Sequence, residues 1–494
     1  MRWSRRSRKF VTSVFLAVAS LGLVLTLSWP SPANANSAQH YTDLEFPQIG
    51  EITIPEYERY ELSNGLIVYL MEDHDLPLVN GSVTFHTGEF LEPEDKTGLG
   101  SLTGEAMRLG GTETLPPGQL NQQLEARAAS VETSISTTSG SASFSALSED
   151  TTDIFALFAD VIRHPAFAPE KIELIKSQYR GGIARRNDSP DEVTDREFRK
   201  LIYGSESPYA RTVEYTDLDN ISRDDVVDFY KSTIQPQGTL LGISGDFDRD
   251  QIKALIEEYF GDWQPQAATK RAAQPPTPTQ QKTGIFVVDQ PQLTQSYVQI
   301  GHIGGRLDNP SHAPLVVLNE VLNGFGGRLF NDIRSRQGLA YVVYAVWSPR
   351  YDYPGLFIGG GQTRSEATVP FVQSMVKEIK RICNEPISEA ELQYAKDAVL
   401  NSFVFNFATP TQTLSRLIRY EFYGYPSDFV FQFQKGVEET TVEQVLQAAQ
   451  ENLKPEDLVT IVVGNVEEIN PPLTAISESM TVTPVDISIP GESA

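Results

Sequence analysis

The chain repeats itself. At an offset of 219 residues Ser222 matches Thr441, Pro236 matches Pro455 and Gly245 matches Gly464. At 220, Lys176 matches Lys396, Tyr203 matches Tyr423 and Gly204 matches Gly424. Several matches at nearly one offset are hard to obtain by chance, so the fold must be one unit of about 220 residues used twice. Each copy opens on strands, GLIVYL and VNGSVTFHT in the first, TGIFVVD and SYVQIGHI in the second. Helices with Ser, Thr or Asp at their starts follow, and a strand closes each copy (TLLGIS, LVTIVVG). That order predicts an α+β fold of layered domains, with helices packed on one face of a sheet.

Composition sets the boundaries. The halves are expected at 48–265 and 284–467, joined by a linker over 266–283 rich in Pro, Gln, Thr and Ala. The tail, 468–494, is Pro- and Ser-rich and reads as extended or disordered. Residues 1–35 read as a secretory signal: Arg2, Arg5, Arg6, Arg8 and Lys9, an apolar run from Phe10 to Trp29, then Ala33-Asn34-Ala35. The apolar run exceeds an ordinary signal core, which leaves an uncleaved membrane tether as the alternative to a free periplasmic protein. Loss of the five basic residues would take the formal charge from −25 to −30. So acidic a chain disfavours nucleic acid as a partner. A single cysteine, Cys383, rules out an intramolecular disulfide, and it follows the apolar stripe Val372, Val376, Ile379, Ile382 as a core residue would.

Two stretches carry the chemical argument. Gly98 to Thr112 reads GLGSLTGEAMRLGGT, an apolar helical turn between glycine flanks. Leu322 to Ser348 reads LNGFGGRLFNDIRSRQGLAYVVYAVWS. There Leu329, Phe330 and Ile333 make the apolar face of a short helix after a Gly-rich turn, Arg334 leaves that face, and Tyr341 opens a strand.

Together with the duplication, these stretches resemble the M16 (pitrilysin/insulinase-like) peptidases, subfamily M16B, over about residues 48–467. The resemblance implies a LuxS/MPP-like metallohydrolase fold of α/β-roll domains. Catalytic members carry H-x-x-E-H, two imidazoles on one helical face to hold Zn²⁺ and a glutamate as general base. Here the frame falls on Ser101, Leu102, Thr103, Gly104 and Glu105, so Ser101, Gly104 and Glu105 stand at the three functional positions. The family's distant carboxylate ligand falls within KSQYRGGIARRNDSP, on Gly181 and Gly182. The chain thus resembles the non-catalytic subunit type, with no metal and no cofactor of its own. The seven-residue spacing of Arg334 and Tyr341 matches the family's Arg/Tyr pair, which reaches the zinc site and the scissile carbonyl, where fixed donors stabilise a developing oxyanion. In related non-catalytic subunits a glycine-rich loop helps handle substrate, which makes Gly324, Gly326 and Gly327 candidates for that contact; simple turn chemistry explains them equally well.

The six histidines, His40, His74, His86, His164, His302 and His312, offer no pair at helical ligand spacing. Neither Gly324–Gly327 nor Gly359–Gly361 has the form of a phosphate loop. The resemblance therefore implies an exported, catalytically silent half of a heterodimer. Its partner would be an H-x-x-E-H subunit holding Zn²⁺, with unfolded peptides as substrates, and Arg334 and Tyr341 would assist in trans. The alternative is a catalytically dead scaffold or peptide-binding protein of the same fold.

Overall fold

The last strand of each copy is the key to its sheet. In the first half, β1 (Glu58–Glu61), β2 (Ile67–Glu72) and β3 (Leu78–Phe85) precede helices α1 (Leu99–Leu109) and α2 (Pro117–Ala126). The hairpin β4 (Ser130–Ile135) and β5 (Gly140–Leu147) leads to α3 (Thr151–Arg163), α4 (Pro169–Ala184), α5 (Pro190–Tyr203), α6 (Tyr215–Asn220) and α7 (Arg223–Thr233). Strand β6 (Leu240–Gly245) and helix α8 (Arg249–Phe260) close the half. The six strands lie in the order β1-β2-β6-β3-β5-β4, so β6 returns to the centre, parallel to β2 and antiparallel to β3. A strand buried on both faces needs a continuous apolar run, which LLGIS supplies.

The second half repeats this with β7 (Gly284–Asp289), β8 (Gln295–Ile303), α9 (His312–Asn323), a π-helical turn (Phe330–Arg336), β9 (Ala340–Ser348) and β10 (Leu356–Arg364). Helices α10 (Thr368–Asn384), α11 (Glu389–Phe403), α12 (Pro410–Tyr423), α13 (Phe429–Glu439) and α14 (Val442–Asn452) precede β11 (Val459–Gly464) and β12 (Val482–Pro484). The order is β12-β7-β11-β8-β10-β9, with β11 parallel to β7 and antiparallel to β8. These are the relations of the first sheet, and the α+β expectation of two layered halves holds. The architecture is that of a computed structural model, which describes residues 54–265 and 275–491. The expected export signal (1–35), His40 and the first part of the linker lie outside the described residues.

The repeated residues do repeated work. Ser222 and Thr441 cap α7 and α14 through reciprocal capping boxes with Asp225 and Gln444. The buried Lys176 ammonium donates to the Ile221 carbonyl, and Lys396 donates to the Thr440 carbonyl at 3.1 Å. Each lysine satisfies a carbonyl just before a helix start, where the chain turns away from regular pairing.

The halves also exchange a helix. Ser189-Pro190 starts α5 and Thr409-Pro410 starts α12, each with a side-chain cap and proline at the first turn. Helix α5 leaves its own half and packs Val193, Phe198, Ile202 and Tyr203 against Phe286, Val288, Ile461 and Val463 of the second sheet. Helix α12 returns the exchange, setting Leu414, Leu417 and Ile418 on Tyr69, Met71 and Leu240. A β-carbon at Gly242 would stand 2.2 Å from Ile418 Cδ1, so a larger residue there would force the Ile418 side chain to shift. Each fully buried aliphatic at these seams stabilises by roughly 1.5–3 kcal/mol. The tail joins the fold as well. Strand β12 pairs in parallel with β7, at the edge that β1 occupies in the first sheet, and Ile489 is buried beside Ile183 and Leu218.

Candidate functional site

Helix α1 starts at Gly98, whose φ of 95° suits glycine, and its first amides are held by a carboxylate from the preceding loop. Glu92 accepts from the Gly100 amide at 2.6 Å, the Gly98 amide at 3.1 Å and Arg211 Nη2 at 2.8 Å. A buried anion at a helix N-terminus is favoured by the unpaired amides there. Burial nevertheless pushes the Glu92 carboxyl up to about 7, against the pull of Gly100 and Arg211. Buried Leu99, Leu102, Ala106 and Met107 turn toward the first core, which leaves Ser101, Gly104, Glu105 and Arg108 facing β4 and α4.

Every one of these positions is already engaged. Ser101 Oγ donates to a Glu89 carboxylate oxygen. Glu105 accepts from the phenol of Tyr179 on α4 at 2.8 Å; burial and that carboxylate together hold the Tyr179 hydroxyl protonated far above its ordinary range. Gly104 is the decisive residue. A β-carbon there would lie 2.4 Å from the Ile135 amide nitrogen and 2.7 Å from the Ser134 carbonyl carbon. The Thr133 hydroxyl donates to the Gly104 carbonyl at 2.6 Å, and Arg108 Nε donates to the Val131 carbonyl at 2.8 Å. Helix α1 is thus pressed onto the backbone of edge strand β4, where a glutamate side chain has no room.

Gly181 and Gly182 differ. They lie in the last turn of α4, just beyond Tyr179, and nothing lies within 4 Å of a β-carbon built on either. A carboxylate would fit there, but the rest of a zinc site would not. Glu105 is committed to Tyr179, Ser101 to Glu89, and position 104 is closed. Among the described residues no group of three or more His, Cys, Asp or Glu is arranged to hold a metal ion. The residues present do not fit Zn²⁺.

Arg334 and Tyr341 are brought together. Arg334 lies in the π-helical turn beside buried Ile333, and its guanidinium carbon sits 4.7 Å from the ring centres of both Phe330 and Tyr341. Tyr341 is 77% exposed at the start of β9, so the pair is a surface feature. No described hydrogen bond, ion pair or ring contact joins either residue to Ser101 or Glu105. The turn before it is anchored: the Gly327 amide donates to the Gly324 carbonyl at 2.5 Å, Gly326 has a φ of 100°, and buried Arg328 pairs with Glu391 and Glu378. Beside this turn Phe325 is 87% exposed.

Sequence reasoning passed over Asn319 and Asn323. One turn apart on α9, they act as a false strand against the outer edge of β9. Asn319 accepts from the Trp347 amide and donates to its carbonyl (2.8 and 3.0 Å), and Asn323 does the same for Ala345 (2.8 and 2.7 Å). An exposed strand edge invites pairing, and these amides close part of it. The available signal was two asparagines at i and i+4 on a largely apolar helix. Two histidines sit within the packing: buried His302 accepts from the Lys454 amide at Nε2, and half-buried His312 packs 5.1 Å from the ring centre of Phe433. Cys383 is buried, as its place in the α10 stripe requires. Among the described residues no helix is long and apolar enough to cross a membrane.

Comparison with known proteins agrees with this geometry. Residues 67–216 match the family model described as insulinase (peptidase family M16), and residues 220–399 match the peptidase M16 inactive domain. The chain is 23% identical over 363 residues to the uncharacterized zinc protease YmxG of Bacillus subtilis, covering 73% of this chain and 86% of that one. It is 22% identical over 399 residues to the non-peptidase homolog YmxG of Helicobacter pylori, covering 80% and 90%. The crystal structure of a peptidase M16 inactive domain from Pseudomonas fluorescens superposes with a TM-score of 0.74 at 23% identity, over 83% of this chain and 98% of that one. A protease from Helicobacter pylori gives 0.70 at 16%, over 83% and 99%. Two family models in tandem, on a duplicated fold whose motif helix is closed against its neighbouring strand, identify the chain as a member of the M16 peptidase family that carries the family's inactive-type domain.

Proposed function

We propose that this protein is the exported, non-catalytic subunit of a heterodimeric M16B zinc peptidase, in which a separate H-x-x-E-H subunit holds the metal and activates water. This chain closes the chamber and lends Arg334 and Tyr341 to the partner's site, where peptides are cleaved. The observation that carries the reading is the pairing of the Arg334 guanidinium, in the π-helical turn, with a 77% exposed Tyr341 at the start of β9. A guanidinium and a phenol held in place suit a tetrahedral oxyanion because they need no reorganisation when charge develops.

The test is co-expression with an H-x-x-E-H chain of the same family from the same organism, followed by purification and peptide hydrolysis assays. Stoichiometric association is expected, and Arg334→Ala should lower kcat of the pair by ~10²–10³, the usual cost of losing one oxyanion donor. Zinc content should stay constant. Full activity in that variant removes Arg334 from the reaction. One observation favours the second reading, a scaffold or peptide-binding protein: Arg334 is flanked by two rings, Phe330 and Tyr341, as a purely structural arginine can be. That reading predicts no stoichiometric H-x-x-E-H partner.

A further inference from the structure

The duplication has one unequal member. In the first half, α8 follows β6 and adds Ile252, Leu255, Ile256 and Phe260 to the core on one face of the sheet. After β11 the second half has no such helix, only short turns at Val466–Glu468 and Leu473–Ile476 before β12. The corresponding face is therefore covered in part, and a cavity of about 350 Å³ remains between α10, the 473–480 segment, β7 and β11. Its apolar lining includes Ile285 and Leu458, both buried, with Val376 and Ile476 partly covered. At its rim stand Lys377 and Lys380, both exposed on α10. Among the described residues neither has an ion-pair partner. Like charges one turn apart repel.

We infer that this cavity is a binding site for a small amphipathic carboxylate. The apolar body lies against Ile285, Val376, Leu458 and Ile476, and the carboxylate lies between the Lys377 and Lys380 ammonium groups. The volume is within the range of small-molecule sites, which pair an apolar lining with a few convergent polar groups. Two cations without an ion-pair partner among the described residues, at the mouth of an apolar slot, select a ligand with one anionic end.

Calorimetric titration of the full chain with decanoate, kept below its micelle concentration, tests this against decanol and decyltrimethylammonium. Decanoate should bind with one site and weaken as salt rises, decanol should bind less tightly and without salt dependence, and the cation should not bind. Lys377→Gln/Lys380→Gln, a surface change that leaves the core intact, should weaken decanoate about tenfold and leave decanol unchanged. Val376→Phe, which fills the slot, should abolish both. Equal affinity for decanoate and decanol, or no effect of the lysine variant, overturns the inference. So does absence of decanoate binding; a change of sedimentation in Val376→Phe alongside it would make this face a contact between copies.

Discussion

Gly104→Ala places the central packing claim under direct test. The added methyl would meet Ile135 N at 2.4 Å, Ser134 C at 2.7 Å and Ser134 Cα at 3.0 Å, all backbone atoms that no rotamer change can move aside. Relief requires α1 and β4 to separate by about 1 Å, since non-bonded carbon contacts prefer roughly 3.5–4 Å. Overpacking of that kind costs about 1–3 kcal/mol. Separation also strains the Thr133–Gly104 and Arg108–Val131 hydrogen bonds, each worth about 0.5–1.5 kcal/mol. Alanine returns about 1 kcal/mol of helix propensity. The net expectation is a destabilisation of about 2 kcal/mol. Gly181→Ala is the internal control, with the same chemical change inside a helix and nothing within 4 Å of the new atom, so it should stabilise by about 0.5–1 kcal/mol. In thermal unfolding followed by circular dichroism, an entropy of about 2.1 cal/mol/K per residue converts 2 kcal/mol into a drop of ~4 °C if the first half melts alone and ~2 °C if both halves melt together. Gly181→Ala should rise by ~1–2 °C. A Gly104→Ala protein as stable as its parent would refute the claim that β4 seals the motif helix.

The same geometry predicts that the triple variant Ser101→His/Gly104→Glu/Glu105→His takes up no stoichiometric zinc by elemental analysis, and a 1:1 metal content would contradict it. Lys176→Met should destabilise more than Lys396→Met in denaturant titrations, by about 1–3 kcal/mol, because Lys176 is buried and leaves the Ile221 carbonyl without its donor whereas Lys396 is partly solvated. Burial pushes the His302 and His312 imidazoles down to about 4, while an unfolded histidine titrates near 6.5. The unfolded chain binds these two protons first, so each histidine's contribution is constant above pH ~6.5 and is lost as pH falls toward 4, by about 1.4 kcal/mol per pH unit, while Glu92, whose carboxyl is protonated first in the folded chain, opposes them below pH ~7. His312→Phe should flatten that slope, and identical pH profiles for variant and parent would exclude the imidazole as the cause.

Much of the fold could be read in advance because it rests on local rules used twice. Ser222 and Thr441 announce helix starts through their own side chains. The apolar runs LLGIS and VTIVVG announce buried strands. The recurrence of Lys176 at Lys396 marks a carbonyl that needs a donor in both halves. That positions 101 and 105 carry no imidazole was equally plain, because metal ligands are residue identities. Other features depend on which distant segments meet. Nothing in the residues around Pro190 and Pro410 says that α5 and α12 cross to the opposite sheet, since an amphipathic helix fits any apolar face of suitable size.

The glycines show where local reading ends. Gly104, Gly181 and Gly182 all stand inside helices, and in sequence each is simply a missing functional side chain. Only the packed structure separates them, because β4 lies against the first and open space surrounds the other two. Likewise the amides of Asn319 and Asn323 acquire meaning from the strand edge beside them, and Lys377 and Lys380 from a helix that the second half lacks. By itself the sequence determined that the chain is a doubled α+β unit with no histidine between Leu99 and Leu109. The tertiary structure alone decided that the place is filled by backbone, because steric exclusion depends on atoms of Ser134 and Ile135, thirty or more residues away along the chain.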